Sequence, residues 1–337
     1  KKPFLLAQPF LSLLTYDLEG FFVEAILERC CGLDVHRDTV VACLLTGDLD
    51  GRPQKEIRTF STMSKGLHEL LAWLQETQCT HVAMESTGVY WKPVYHILEG
   101  SVELKLANAQ RIKNVPGRKT DISDAEWIAK LLRSGLIAGS FVPPQDIREL
   151  RELTRHRKKL VHHLTAEKNR IQKVLESAGI KLSSVISDVF GVTGRAILRQ
   201  LMETGQLHED MIRSLVKGKT KKKVPQLIDA LEGKLSPHHQ FLLTQSWDHL
   251  VYLERSINHF DEAINRHLEP YRLEMELLVT IPGIDETAAS AILAEIGVDM
   301  LQFHSERHLA SWAGLSPGNN ESAGKKSPHA PLMEIRT

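Results

Sequence analysis

Four carboxylates stand where a phosphate-transfer site can be assembled: Asp34 and Glu85 on short apolar runs, and Asp121 and Asp124 three residues apart. Asp34 lies between Leu33 and Val35 in a strand-like run, so its side chain projects to the face opposite these two, which edge or surface placement explains equally well. Glu85 follows the apolar run His81-Val82-Ala83-Met84 and so falls at the carboxyl end of a sheet, where open α/β sheets hold ligands. Asp121 and Asp124 are expected on one face of a helix start. Ile128 and Leu131 continue nearly the same stripe, which turns both carboxylates toward the packed side. An isolated Asp-x-x-Asp is more often a helix cap that complements the dipole. Four acids at one sheet edge, however, repel one another strongly. Hard divalent cations relieve that repulsion: Mg²⁺ prefers oxygen ligands, and a pair stabilises both attacking and leaving oxygens in phosphoryl transfer. The cluster therefore implies metal and phosphate together.

Other residues offer weaker signals. The run Leu278-Val-Thr-Ile-Pro282-Gly283-Ile284 reads as a helix-hairpin-helix whose turn exposes backbone N–H groups to a phosphate, and equally as an ordinary helical hairpin. Ser322 sits in a small, polar, flexible stretch and by itself is a loop serine, with no His and Asp at activating spacing. Arg111, Lys113, Arg118 and Lys119 surround the acidic helix start. Cations between Arg148 and Lys173 line a long helix and are the better candidates for nucleic acid. The dense loop of Lys217, Lys219, Lys221, Lys222 and Lys223 reads as readily as a solvated face. His162-His163 and His238-His239 lack carboxylate or thiolate companions and are read as surface residues.

The elements that must position the acids follow from hydrophobic period. Two strands joined at His36-Arg37-Asp38 form a hairpin, and Glu56 to Phe60 alternates as a third, half-exposed strand. Leu67, Leu70, Leu71 and Leu74 mark a helix, residues 81–85 a buried strand, Tyr90 to Leu98 a second helix, and Val102 to Leu106 a fifth strand. That order predicts a mixed α/β sheet with an antiparallel start and a parallel remainder, over residues 29–144. Beyond Pro143-Pro144, residues 145–272 read as two long amphipathic helices forming an antiparallel coiled arm, with a helical insert from about Ser183 to Pro237. Residues 273–337 read as a small C-terminal helical domain.

Bulk properties set bounds. The 337 residues carry 42 Lys plus Arg and 42 Asp plus Glu, so attraction to phosphates must come from local clusters. Four cysteines without a CxxC pair or zinc-finger histidines suggest neither disulfides nor structural zinc, and a reducing, intracellular compartment. Residues 1–28 form an extension whose Gln8, Pro9, Asp17, Glu19 and Glu24 argue against a signal peptide, the acids also against a membrane span.

Three runs carry a resemblance to a known family: Cys31-Gly-Leu-Asp-Val-His-Arg-Asp-Thr-Val-Val, Met84-Glu-Ser-Thr-Gly-Val-Tyr-Trp-Lys-Pro-Val, and Asn108-Ala-Gln-Arg-Ile-Lys continued by Arg118-Lys-Thr-Asp-Ile-Ser-Asp-Ala. From about Arg29 to Ser327 the chain resembles the IS110 transposases, in their IS1111-like subgroup. The resemblance implies an RNase H-like, RuvC-type domain with an Asp-Glu-Asp-Asp site. Asp34, Glu85, Asp121 and Asp124 would be its Mg²⁺ or Mn²⁺ ligands. It implies a serine nucleophile at Ser322, with Ala323 where a Gly is expected and Lys325 beside the nucleic acid. It also implies DNA and a bridge-type guide RNA as partners, a dimer or tetramer of like chains, no membrane, and a bacterial cytoplasmic or nucleoid setting. Alternatives are a RuvC-like nuclease that hydrolyses strands, and an inactive nucleic-acid-binding relic. After Lys326 the family continues into a basic helical segment, whereas this chain ends at Thr337; the expectation is a transposase truncated at its C-terminus, without the helices that would support Ser322 and with its activity in question for that reason.

Overall fold

The computed structural model describes residues 25–86, 88–109, 112, 123–315, 321–322 and 325–326. It divides into two units, residues 1–142 and 143–337, parted at the proline pair.

The first unit is built on a sheet of β1 (Arg29–Val35), β2 (Thr39–Thr46), β3 (Gln54–Ser61), β4 (His81–Glu85) and β5 (Glu103–Ala107). Their order is β3-β2-β1-β4-β5, with β1, β2 and β3 antiparallel and β1, β4 and β5 parallel. This is the expected mixed sheet, antiparallel at its start and parallel in its remainder. Alternation along each strand feeds two cores. Cys31, Leu33, Val40, Ala42, Leu44 and Met84 face α1 (Ser64–Glu76) and α2 (Trp91–Leu98). Cys30, Cys43, Leu45 and Ala83 face α3 (Asp124–Arg133), which brings Trp127, Ile128 and Leu131. All four cysteines are buried free thiols, and burial pushes Cys30 up to about 12 and Cys43 and Cys79 to about 11. They are protonated packing groups, not nucleophiles.

The second unit is helical. Its two long helices, α4 (Gln145–Ser177) and α9 (Pro237–Leu268), run in opposite directions. His156 stacks on Phe260 at 4.7 Å, Arg157 pairs with Asp261, and Glu167 meets His249 at 3.1 Å. The 33 residues of α4 make a rod about 50 Å long. Between them lie α5 (Leu182–Val185), α6 (Val192–Thr204), α7 (Glu209–Leu215) and α8 (Val224–Ala230). These pack with the facing ends of the two long helices into a head around Ile171, Leu198, Leu201, Leu227 and Leu243. At the other end, α10 (Arg272–Val279), α11 (Glu286–Ile296) and α12 (Glu306–Trp312) follow. There Leu293 and Ala294 share a core with Ile147, Leu150 and Ile264.

This packing corrects the expectation for three of the cations between Arg148 and Lys173 and leaves it standing for the exposed Lys158, Lys159 and Lys173. Arg151 donates to the carbonyls of Ala294 and Glu295 at 3.1 and 2.7 Å, and Arg155 binds the Glu295 carboxylate at 2.7 and 2.9 Å. Arg148 donates to Pro143 O at 2.9 Å. These cations satisfy the C-terminal carbonyls and acid of α11 and the start of their own helix, so they are structural rather than open to nucleic acid. Among the described residues no helix is long and apolar enough to cross a membrane.

Candidate active site

Asp34 and Glu85 come together through strand register. β1 and β4 run parallel with Leu33 beside Met84, and the next step along both brings Asp34 alongside Glu85 at the carboxyl ends of the strands. Leu33 and Met84 point into the α1 and α2 core, so Asp34 and Glu85 share the opposite face, toward α3. Both are half-buried.

The approach of α3 is set by Gly32, two residues before Asp34 on the same face. A Cβ there would lie 2.3 Å from both Ala125 O and Ala129 N, so only glycine lets the helix backbone rest on the strand. The helix begins at Asp124 because Ser123 caps it, its hydroxyl accepting from Glu126 N–H at 3.3 Å. Glu126 accepts from Lys55 of β3 at 2.8 Å and pairs with Lys130 at 3.1 Å. Burial raises the Glu126 carboxyl, but these two ammoniums outweigh it and hold the group below its usual range. The helix start is thereby pinned over the sheet. The cap is serine, so the capping role weighed for the aspartates falls elsewhere. Asp124 is exposed rather than turned into the packed side, since Ala125, Ile128 and Ala129 fill the contact.

The electrostatics join the three acids. Burial above all raises the Asp34 carboxyl; His36 opposes, and the charges of Asp124 and Glu85 add to the rise. His36 Nε2 lies 3.1 Å from Asp34 Oδ2. Sequence reasoning left His36 in the hairpin turn; the available signal was its position two residues after Asp34, on one strand face. Among the described residues no group of three or more His, Cys, Asp or Glu stands at metal-holding spacing, so the three acids are electrostatic neighbours rather than a closed ligand set. Carboxylate oxygens are hard donors of the kind a divalent magnesium-like cation takes. Asp121 lies outside the described residues, as do Arg111, Lys113, Arg118 and Lys119.

The other expected site residues are in the second unit. Pro282 and Gly283 are exposed in the turn between α10 and α11, and Gly283 has φ +90°, which a side chain would strain. Asp285 caps α11 by accepting from Ala288 N–H at 2.7 Å. Ser322 is in a short strand rather than a loop: β6 (Glu321–Ser322) pairs antiparallel with β7 (Lys325–Lys326), with Ser322 opposite Lys325.

Residues 31–180 match a family model described as a transposase, of the IS110 type with the DEDD signature. Residues 275–333 match a second one, described as the transposase IS116/IS110/IS902 family. The pilin gene-inverting protein of Moraxella lacunata is 23% identical over 304 residues, covering 86% of this chain and 73% of that protein. The transposase for insertion sequence element IS1111A of Coxiella burnetii is 23% identical over 252 residues, 73% of this chain and 58% of its own. The Thermus thermophilus RuvC structure aligns with 33% of this chain and 99% of that one, at 13% identity and a TM-score of 0.26. With the acid-bearing unit and the serine-bearing segment each matched by a domain of the same transposases, the chain belongs to the IS110 family.

Proposed function

We propose that this transposase cuts and rejoins DNA strands, with Asp34, Glu85, Asp121 and Asp124 as ligands of Mg²⁺ or Mn²⁺ and Ser322 as nucleophile. The observation that carries this reading is the electrostatic coupling of Asp34 to Asp124 and Glu85 on the face where α3 rests on Gly32. When bound, the cation supplies charge neutralisation at the scissile phosphate and lowers the barrier to attack on phosphorus. Asp34, Glu85, Asp121 and Asp124 would hold it, and His36 fixes the Asp34 carboxylate through its 3.1 Å contact.

Attack by the Ser322 hydroxyl forms a phosphoserine ester and breaks the bond from phosphorus to the departing strand, whose oxygen ends protonated in place of the serine's. The ester conserves the phosphodiester energy, so resealing needs no nucleotide triphosphate. Arg111, Lys113, Arg118 and Lys119, which lie close to Asp121 and Asp124 in sequence, and Pro282, Gly283 and Lys325 in the second unit, are assigned to the nucleic-acid backbone. Sequence choice comes from a bridge-type guide RNA, and two or four copies of the chain act together.

Ser322→Ala is expected to abolish the covalent protein–DNA species seen as a shifted band on a denaturing gel, and all strand exchange with it. Mg²⁺-dependent nicking that persists at the parent rate in that variant would instead support water as the nucleophile.

A further inference from the structure

Between Asp210 and Asp229 the chain carries six cations and no acid. Five of them, Lys217, Lys219, Lys221, Lys222 and Lys223, sit on the connection between α7 and α8, where residues Gly218–Lys223 form a 3₁₀ turn rather than the loop expected. The turn is anchored at both ends. Val216 and Val224 are buried in the head core, Lys217 N–H donates to Thr193 Oγ1 at 3.2 Å, and Lys223 Nζ donates to Val185 O at 2.7 Å. All five lysines are exposed, and none has an acidic partner among the described residues. A solvated face alternates its charges, as Arg213 does with Glu209 one turn away. Here like charges are held together on an ordered backbone, which costs stability unless an anion covers them.

We infer that this lysine turn, in the head of the helical unit, grips the phosphate backbone of duplex DNA, at the end of the long helices away from the Pro282-Gly283 turn. Ammonium groups act as point charges toward phosphate and do not read bases bidentately. No aromatic residue lies between positions 210 and 229, so the segment lacks the stacking platform by which single strands are held. A duplex backbone needs neither. The choice of DNA as the duplex rests on the function proposed above. Six residues of 3₁₀ helix span about 12 Å, which faces roughly three phosphates of one strand.

The test is binding of the full chain to a duplex of about 30 base pairs in EDTA, followed by fluorescence anisotropy across salt concentrations. Replacing Lys217, Lys219, Lys221 and Lys222 by Gln is expected to flatten the slope of log affinity against log salt by about 2 to 3. Between about 50 and 200 mM salt the parent then loses roughly 40-fold more affinity than the variant. The same four positions changed to Arg keep the parent slope, which separates charge from folding. An unchanged slope in the Gln variant overturns the inference, and so does a loss confined to single-stranded or RNA probes. EDTA removes the acid site from the measurement, so an Asp34→Asn chain that still cuts DNA would sink the proposed function and leave this result standing.

Discussion

Asp34→Asn is expected to lower strand cleavage by at least about a thousandfold, ~4 kcal/mol of barrier, while raising the melting temperature of the metal-free protein. Both effects have one origin. Burial first, then the charges of Asp124 and Glu85, raise the folded-state pKa of Asp34 against the pull of His36. A carboxyl raised in this way favours folding only while it keeps its proton. That contribution is complete below the unfolded pKa and is lost as pH rises through the higher folded value. At neutral pH the carboxylate therefore works against the metal-free fold, and asparagine removes the charge with little change of shape. A divalent cation reverses the sign for the parent, which gains stability when the charge is neutralised, and does nothing for the variant. Thermal melts with EDTA and with Mg²⁺, run beside a nicking assay, measure all three effects. A variant that melts lower than the parent in EDTA would mean that Asp34 serves the fold, not a cation.

The strands, their order and the face chosen by Asp34 were readable because period-two alternation at Leu33, Asp34 and Val35 leaves one side apolar and one side acidic. The two long helices were equally plain from the leucine spacing between Leu150 and Leu175. What escaped was contact between elements distant in sequence. Gly32 reads as a weak point in a strand; only the packing shows that the backbone of Ala125 and Ala129, more than ninety residues on, needs its empty side. Arg151 and Arg155 carry the same charge as a nucleic-acid-facing residue, and nothing local reveals that Glu295 claims them. His36 lay in view beside Asp34, but a turn was sufficient explanation for it. Asp124 was read as turned toward the packed side, whereas Ser123 caps the helix and leaves Asp124 exposed at its first position.

Gly32→Ala is expected to cost both the fold and the chemistry, by separate amounts that can be measured apart. The added Cβ meets Ala125 O and Ala129 N at 2.3 Å, and both are backbone atoms inside a helix, so neither can turn aside. To restore ordinary contact the whole of α3 must retreat by about 1 Å, parting Ile128 and Leu131 from their core and costing roughly 1–3 kcal/mol or somewhat more. Asp124 is the first residue of that helix and leaves Asp34 with it. A displacement of this size at reacting groups costs on the order of a hundredfold in rate even in molecules that remain folded. The control is Gly66→Ala. Its Cβ meets Ser61 O at 2.4 Å, as tight a clash, but in α1 on the opposite face of the sheet. Cleavage per folded molecule, with the folded fraction taken from a urea melt, should fall for Gly32→Ala and hold for Gly66→Ala. Equal losses would show that the two glycines matter only to stability. A difference between them would make the seat of α3 on β1 the device that carries the third carboxylate to the first two.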